Sequence, residues 1–274
     1  MTFLASRAPG EVPGLAPTLI GVPYDATSSF RGGSRWGPTA IRWASESIET
    51  YNPLIDRDLE HLPFVDGGDL QLEALDPPAM VRAIRRHLGP GLPFLLGGEH
   101  TITLGAVQAL VARHHELVVI QWDAHTDLRD VYQGHAIGHA TVMRRILDGG
   151  CPLVQLGIRA GTREEFALAR ERSLYVSRGV HLADPLLATL RSRPLYLSVD
   201  IDVLDPSVAP GTGNPEPDGA EYPELLAALR SLSGYHIVGM DIVEVAPPWD
   251  PGGRTPVIAA SLVRDMLLLF ARMA

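Results

Sequence analysis

The sequence predicts an α/β protein built on a mostly parallel sheet with helices on both faces, and two observations carry that expectation. Short apolar runs alternate with helical patterns along nearly the whole chain, the arrangement of successive βαβ units. The runs are rich in Val, Ile and Leu with little polar alternation, as required when both faces of a sheet are covered. At 274 residues, 46% of them hydrophobic, the chain is long enough for a sizeable core. No internal repeat, low-complexity tract or linker-like shift in composition divides it, so one domain over 1–274 is the economical reading.

Taken in order, residues 18–23 read as a first strand. Gly37-Pro38 opens a helix to about residue 49, with proline at the first helical position, where its missing N–H costs little. The polar, glycine-bearing stretch 24–34 between them is a plain connection or a wall of a site. Residues 64–70 read as a short strand, Asp76-Pro77 caps a helix to 88, and 93–98 form a strand leading to His100. A helix over 101–114 precedes a long apolar run that ends at Asp123, and a loop over 126–138 follows. A helix over 139–147, a strand over 153–158 and a helix opened by a Thr162/Glu165 capping box come next. Segments at 174–176, 186–191, 195–201, 222–232, 237–245 and 257–273 continue the alternation. In such sheets ligands bind outside the carboxyl ends of the strands.

Chemistry collects at those ends. In extended backbone, residues i, i+2 and i+4 project to one side, which predicts that Asp123, His125 and Asp127 share a face. Asp200 and Asp202 repeat the spacing after another apolar run, and His100 follows a third. A lone histidine at a strand end is more often structural, and an aspartate before proline, such as Asp205, is usually a turn residue. The joint pattern reads differently, because burying so many acids and imidazoles without a counter-charge is costly. Carboxylate and imidazole donors without thiolate favour Mn²⁺ or a similar divalent ion over structural zinc. Six candidate ligands exceed one tetrahedral site and suit two neighbouring ions that activate a shared water.

Composition narrows the classes further. A net charge of −9 argues against nucleic acid or an anionic membrane as partner and is compatible with a small cationic substrate. Cys151 is the single cysteine, which excludes an intrachain disulfide and fits a reducing compartment. No apolar leader stretch opens the sequence, and Arg264 and Asp265 break the last apolar run, so a cytoplasmic protein without signal peptide or membrane span is expected. All 23 basic residues are arginines, so a Walker-type phosphate loop and a pyridoxal Schiff base are both excluded.

The segments Gly97-Gly98-Glu99-His100, Asp123-Ala124-His125-Thr126-Asp127, 198–206, 209–213 and Asp241-Ile242-Val243-Glu244 resemble, in order and spacing, the motifs of the ureohydrolase (arginase and agmatinase) family. The resemblance implies a three-layer α/β/α fold with a mostly parallel sheet of about eight strands, two manganese ions per subunit, hydrolysis of a guanidino group to urea, and a homo-oligomer, trimer or hexamer. It places one ion on His100, Asp123, Asp127 and Asp200 and the other on Asp123, His125, Asp200 and Asp202. Agmatinases are the nearest subgroup, on the stretch 31–42 with 48–51, and on His139-Ala140-Thr141 before the arginine pair Arg144-Arg145. Ala160-Gly161 stands where arginases carry an acid that holds the amino-acid end of arginine.

By the same resemblance, His139 moves a proton, with His135 as the second candidate. Asp127 orients the attacking water, and Glu244 pairs with guanidinium through two charge-assisted bonds. Asn214 and His135 are candidate substrate contacts. The implied reaction is agmatine to putrescine and urea. The alternatives are hydrolysis of aminopropylagmatine, guanidinobutyrate, formiminoglutamate or arginine, or a catalytically silent metal-binding homologue.

Overall fold

The computed structural model describes residues 1–12 and 16–271. Its strands and helices follow one another as β1 (Thr18–Val22), α1 (Gly37–Ser45), β2 (Tyr51–Asn52), β3 (Arg57–Asp58), β4 (Val65–Asp69), α2 (Pro77–His87), β5 (Pro93–Gly97), α3 (Ile102–Val111) and β6 (Val118–Trp122). They continue as α4 (Val142–Asp148), β7 (Leu153–Leu156), α5 (Arg163–Arg172), β8 (Tyr175–Ser177), α6 (Asp184–Leu190), β9 (Pro194–Asp200), α7 (Tyr222–Arg230), β10 (His236–Val243) and α8 (Arg254–Phe270).

Eight strands form one sheet in the order β4-β1-β5-β10-β9-β6-β7-β8, and every described pairing in it is parallel. Successive strand residues feed opposite cores. Leu19, Phe94, Ile120 and Leu197 pack with α1, α7 and α8, whereas Ile20, Leu95, Val119 and Tyr196 pack with α2, α3 and α4. Both faces are therefore apolar, which explains the absence of polar alternation in the sequence. The order reverses at the centre of the sheet, so β5, β10, β9 and β6 lie side by side with their carboxyl ends at one edge.

Local signals act as expected at several helix starts. Asp76 Oδ1 accepts the Ala79 N–H at 2.7 Å, and Thr162 and Glu165 form the reciprocal capping box at 3.2 and 2.8 Å. Three readings are corrected. The first helix stops at Ser45 rather than near 49, where the Ser45 hydroxyl donates to the Arg42 carbonyl at 2.7 Å. The two-residue strands β2 and β3 make a small antiparallel hairpin that no alternation announced. The last helix begins at Arg254 rather than 257, and residues 272–273 of that expected helix lie outside the described residues.

Candidate metal centre and active site

The convergence of the strand-end acids arises from turns, not from strand alternation. Strand β6 ends at Trp122, and the chain then folds so that Asp123 Oδ1 accepts the His125 N–H at 2.6 Å. Strand β9 ends at Asp200, whose Oδ1 accepts the Asp202 N–H at 2.9 Å as Ile201–Val203 turns into a 3-10 helix. Both are aspartate turns in which a side chain binds the backbone two residues on. The expectation of a shared extended face is thus corrected: Asp127 has φ 53°, in the left-handed region. Glu244, just past β10, also lies there at φ 64°. Such backbone costs about 1–3 kcal/mol in a residue with a side chain and gathers at functional sites.

Glycine is required at one position in this edge. A Cβ on Gly98 would lie 2.0 Å from the Tyr24 carbonyl oxygen, so the chain can pass there only without one. Beyond it the ends of β5 and β10 are tied together: the Glu244 N–H donates to the Gly98 carbonyl, and the His100 N–H donates to Glu244 Oε1, both at 2.8 Å.

Six side chains meet at this edge. His100 Nδ1 lies 3.0 Å from Asp127 Oδ2, 3.1 Å from Asp123 Oδ2 and 3.4 Å from Asp200 Oδ2. His125 Nδ1 lies 3.0 Å from Asp202 Oδ2 and 3.5 Å from Asp123 Oδ1. Two overlapping groups, His100/Asp123/Asp200 and Asp123/His125/Asp202, each bring ligand atoms within 4.8 Å of one another. Asp123 belongs to both. Of the two acids expected to be shared, Asp200 falls only in the first group, and Asp127 joins through its 3.0 Å approach to His100.

The donors fit a divalent cation. His100 Nδ1 is buried without a hydrogen-bond partner, although three carboxylate oxygens surround it at 3.0–3.4 Å. Its other nitrogen explains why. Ser198 Oγ spends its hydrogen on Asp241 Oδ1 at 2.7 Å and therefore accepts Nε2–H from His100 at 2.8 Å, which leaves Nδ1 as a lone pair. A lone pair beside carboxylate oxygens is the arrangement of ligands about a shared ion.

Charge gives the same answer. Burial, followed by the charges of Asp202 and Asp123, pushes Asp200 well above the ordinary carboxylate range. Burial and Asp123 raise Asp127 to about 7. Burial alone would lower His125, but Asp202 and Asp123 outweigh it and carry it up to about 12. Without a cation the cluster holds protons, and a divalent ion could take their place.

Above the cluster opens a cleft of 260 Å³. It is lined by five of the six, all but the fully buried Asp123, together with His139, Asn214 and Glu244. Ala160 and Gly161 line it too and bring no charge. His139 is buried, and burial followed by the charges of His125 and His100 lowers it to about 4. His135 is exposed and is not among the lining residues.

Sequence reasoning assigned no role to Gln121, Ser198 and Asp241. All three are buried and aim at the cluster or its support: Gln121 Nε2 donates to Asp123 Oδ2 at 2.6 Å, and Asp241 Oδ2 accepts from Thr103 at 2.7 Å and Tyr196 at 2.6 Å. Their signal was available in kind, since each is a polar residue set among apolar neighbours within a buried strand.

The arginase family pattern matches residues 16–269. An agmatinase of Halalkalibacterium halodurans is 39% identical over 91% of this chain and 90% of its own length. An N(1)-aminopropylagmatine ureohydrolase of Thermococcus kodakarensis is 40% identical over 89% and 87%. Among solved structures, proclavaminate amidino hydrolase from Streptomyces clavuligerus superposes with a TM-score of 0.87 at 31% identity, covering 100% of this chain and 97% of that one. Sequence pattern, relatives and architecture agree over nearly the full length, and the chain belongs to the arginase family.

Proposed function

We propose that this chain, as one domain over 1–274, hydrolyses the guanidino group of agmatine to give putrescine and urea with two divalent ions, preferably Mn²⁺, held by His100, Asp123, His125, Asp127, Asp200 and Asp202. The observation that carries the reading is the cleft itself: the carboxylate of Glu244 stands beside the ligand cluster, while Ala160 and Gly161 offer nothing to a charged amino-acid tail. When bound, the ion pair supplies Lewis acidity that makes water nucleophilic at neutral pH.

The side chains do the rest. Glu244 keeps lone pairs free beside the one used by the His100 N–H and pairs with guanidinium, orienting its carbon over the cluster. Asn214 adds a polar contact from the cleft wall. Asp127 accepts a hydrogen bond from the attacking water and so fixes its direction. His139, buried and depressed to about 4, is neutral near pH 7 and accepts a proton before passing it to the leaving amine. His135, outside the cleft lining, is the weaker candidate for that step. The trimer or hexamer implied by the family resemblance is part of the proposal and is tested by mass in solution.

A panel of guanidino compounds assayed for urea with added Mn²⁺ tests the reading. Agmatine is expected to lead, ahead of aminopropylagmatine, guanidinobutyrate, formiminoglutamate and arginine. Arginine brings a carboxylate and an α-ammonium whose desolvation the cleft does not visibly offset. Arginine as best substrate overturns the assignment, and no turnover of any member supports a silent homologue.

A further inference from the structure

We propose that Thr27 is a positioning residue that holds His139 in the tautomer with hydrogen on Nδ1, so that Nε2 faces the cleft as the proton-accepting nitrogen. The inference rests on the reading of His139 as proton carrier and adds how that carrier is set. Thr27 comes from the glycine-bearing loop after β1, far from His139 in sequence, and both are buried.

The argument is an account of hydrogens. Glu99, fully buried, receives the Thr27 backbone N–H on Oε2 at 2.7 Å, and the hydroxyls of Thr27 and Thr101 on Oε1, each at 2.7 Å. Burial pushes the Glu99 carboxyl above its ordinary range, and the three donors draw it back toward the ionised, acceptor-only form that their hydrogens satisfy. The single hydroxyl hydrogen of Thr27 is thereby committed to Glu99, and its oxygen can only accept from other neighbours. Thr101 Oγ1 lies at 3.5 Å with its own hydrogen on Glu99, which leaves two donors for the Thr27 oxygen: the His139 backbone N–H at 3.1 Å and His139 Nδ1 at 3.3 Å. Nδ1 must therefore be the donor.

Neutral imidazole carries one ring hydrogen, so Nε2 is left with a lone pair. Ser29, which lines the cleft, stands 3.1 Å from Nε2 and donates its hydroxyl there. The ring is held from the side by Tyr132, edge-on with centroids 5.8 Å apart. During the reaction the Ser29 hydroxyl turns its hydrogen off Nε2, Nε2 gains one proton and gives it to the leaving nitrogen, and Nδ1–H stays on Thr27. The cycle leaves His139 unchanged. His100 is set by the same device used in the opposite sense: Ser198, committed to Asp241, takes Nε2–H and frees Nδ1.

The test uses the full chain labelled with ¹⁵N-histidine and loaded with diamagnetic Mg²⁺, whose long-range ¹H–¹⁵N correlations report which ring nitrogen carries hydrogen. His139 is expected as the Nδ1–H form in the parent and in Thr27→Ser, with that preference lost in Thr27→Val. With Mn²⁺ loaded, Thr27→Val should lower kcat by about 10- to 10²-fold with KM little changed, and Thr27→Ser should restore most of it. Metal content and Tm of each variant are measured alongside, so a loss caused by unfolding is recognised, and the parent spectrum decides the tautomer without any variant. An Nε2–H parent, or Thr27→Val with parental tautomer and kcat, overturns the inference. Full turnover in His139→Ala would instead remove the proton-carrier reading and leave the measured tautomer standing.

Discussion

Asp66, in β4, and Asp123, just past β6, are both buried carboxylates, and they meet their charge in different ways. Asp66 takes two guanidinium nitrogens of Arg42 at 2.7 and 2.9 Å and the backbone N–H groups of Phe3 and Gly68 at 2.8 and 3.0 Å. A third Arg42 nitrogen reaches Asp69. The counter-charge belongs to the chain, so the cluster ties α1 to the edge strand β4 and asks for no ligand. Asp123 sits among three further aspartates and two imidazoles, and among the described residues no guanidinium reaches it. An acid neutralised from within serves the fold, whereas acids gathered without a guanidinium are built to receive a cation from outside.

The largest effect that would sharpen this contrast belongs to Asp200→Asn. It should lower bound Mn²⁺ and abolish urea release, exceeding the roughly 100-fold typical of a lost outer-shell partner, with far-UV circular dichroism unchanged. An active variant that still binds two ions by metal analysis would break the comparison on its functional side. Next comes Arg42→Leu, which leaves Asp66 buried and unpaired. It should cost about 3–5 kcal/mol in denaturant unfolding, while the folded fraction keeps its metal. Parental stability would break the other side.

Glu244→Gln keeps size and removes charge. It should weaken kcat/KM for agmatine and arginine alike by about 2–4 kcal/mol, with the preference between them preserved. An unchanged agmatine rate would end the guanidinium-pairing role and leave the substrate question open. His139→Ala should depress kcat by about 10²-fold with a smaller change in KM, and the exposed His135→Ala should do much less. A reversed order would transfer the proton step to His135.

Much of the architecture was legible because burial on both faces leaves strands that contain little but Val, Ile and Leu. The gathering of His100, Asp123, His125, Asp127, Asp200 and Asp202 was legible for a related reason, since charged residues stand out where apolar runs stop. The manner of gathering was not. Strand periodicity suggested alternating side chains, but Asp123 and Asp200 bind the backbone ahead of them and end the extended conformation there. Arg42 shows a second limit. Within 31–42 it counts only toward the agmatinase resemblance, and the tertiary pairing with Asp66 is what reveals a structural residue. Thr27 and Ser29 lie in a stretch whose composition fits any polar loop, and their contact with His139 exists only after the sheet has assembled.

The left-handed backbone at Asp127 and Glu244 has a consequence for anyone breeding this protein for heat tolerance. At both positions glycine would relax the main chain, and it would also delete a carboxylate from a crowded group of acids. Asp127→Gly should raise the Tm of the metal-free protein while ending turnover, whereas Glu244→Gly also strips the buried His100 N–H of its acceptor and forfeits the gain. A screen that scored only survival at high temperature would therefore enrich Asp127→Gly, and would deliver hardy, inert descendants unless hydrolysis were selected at every round.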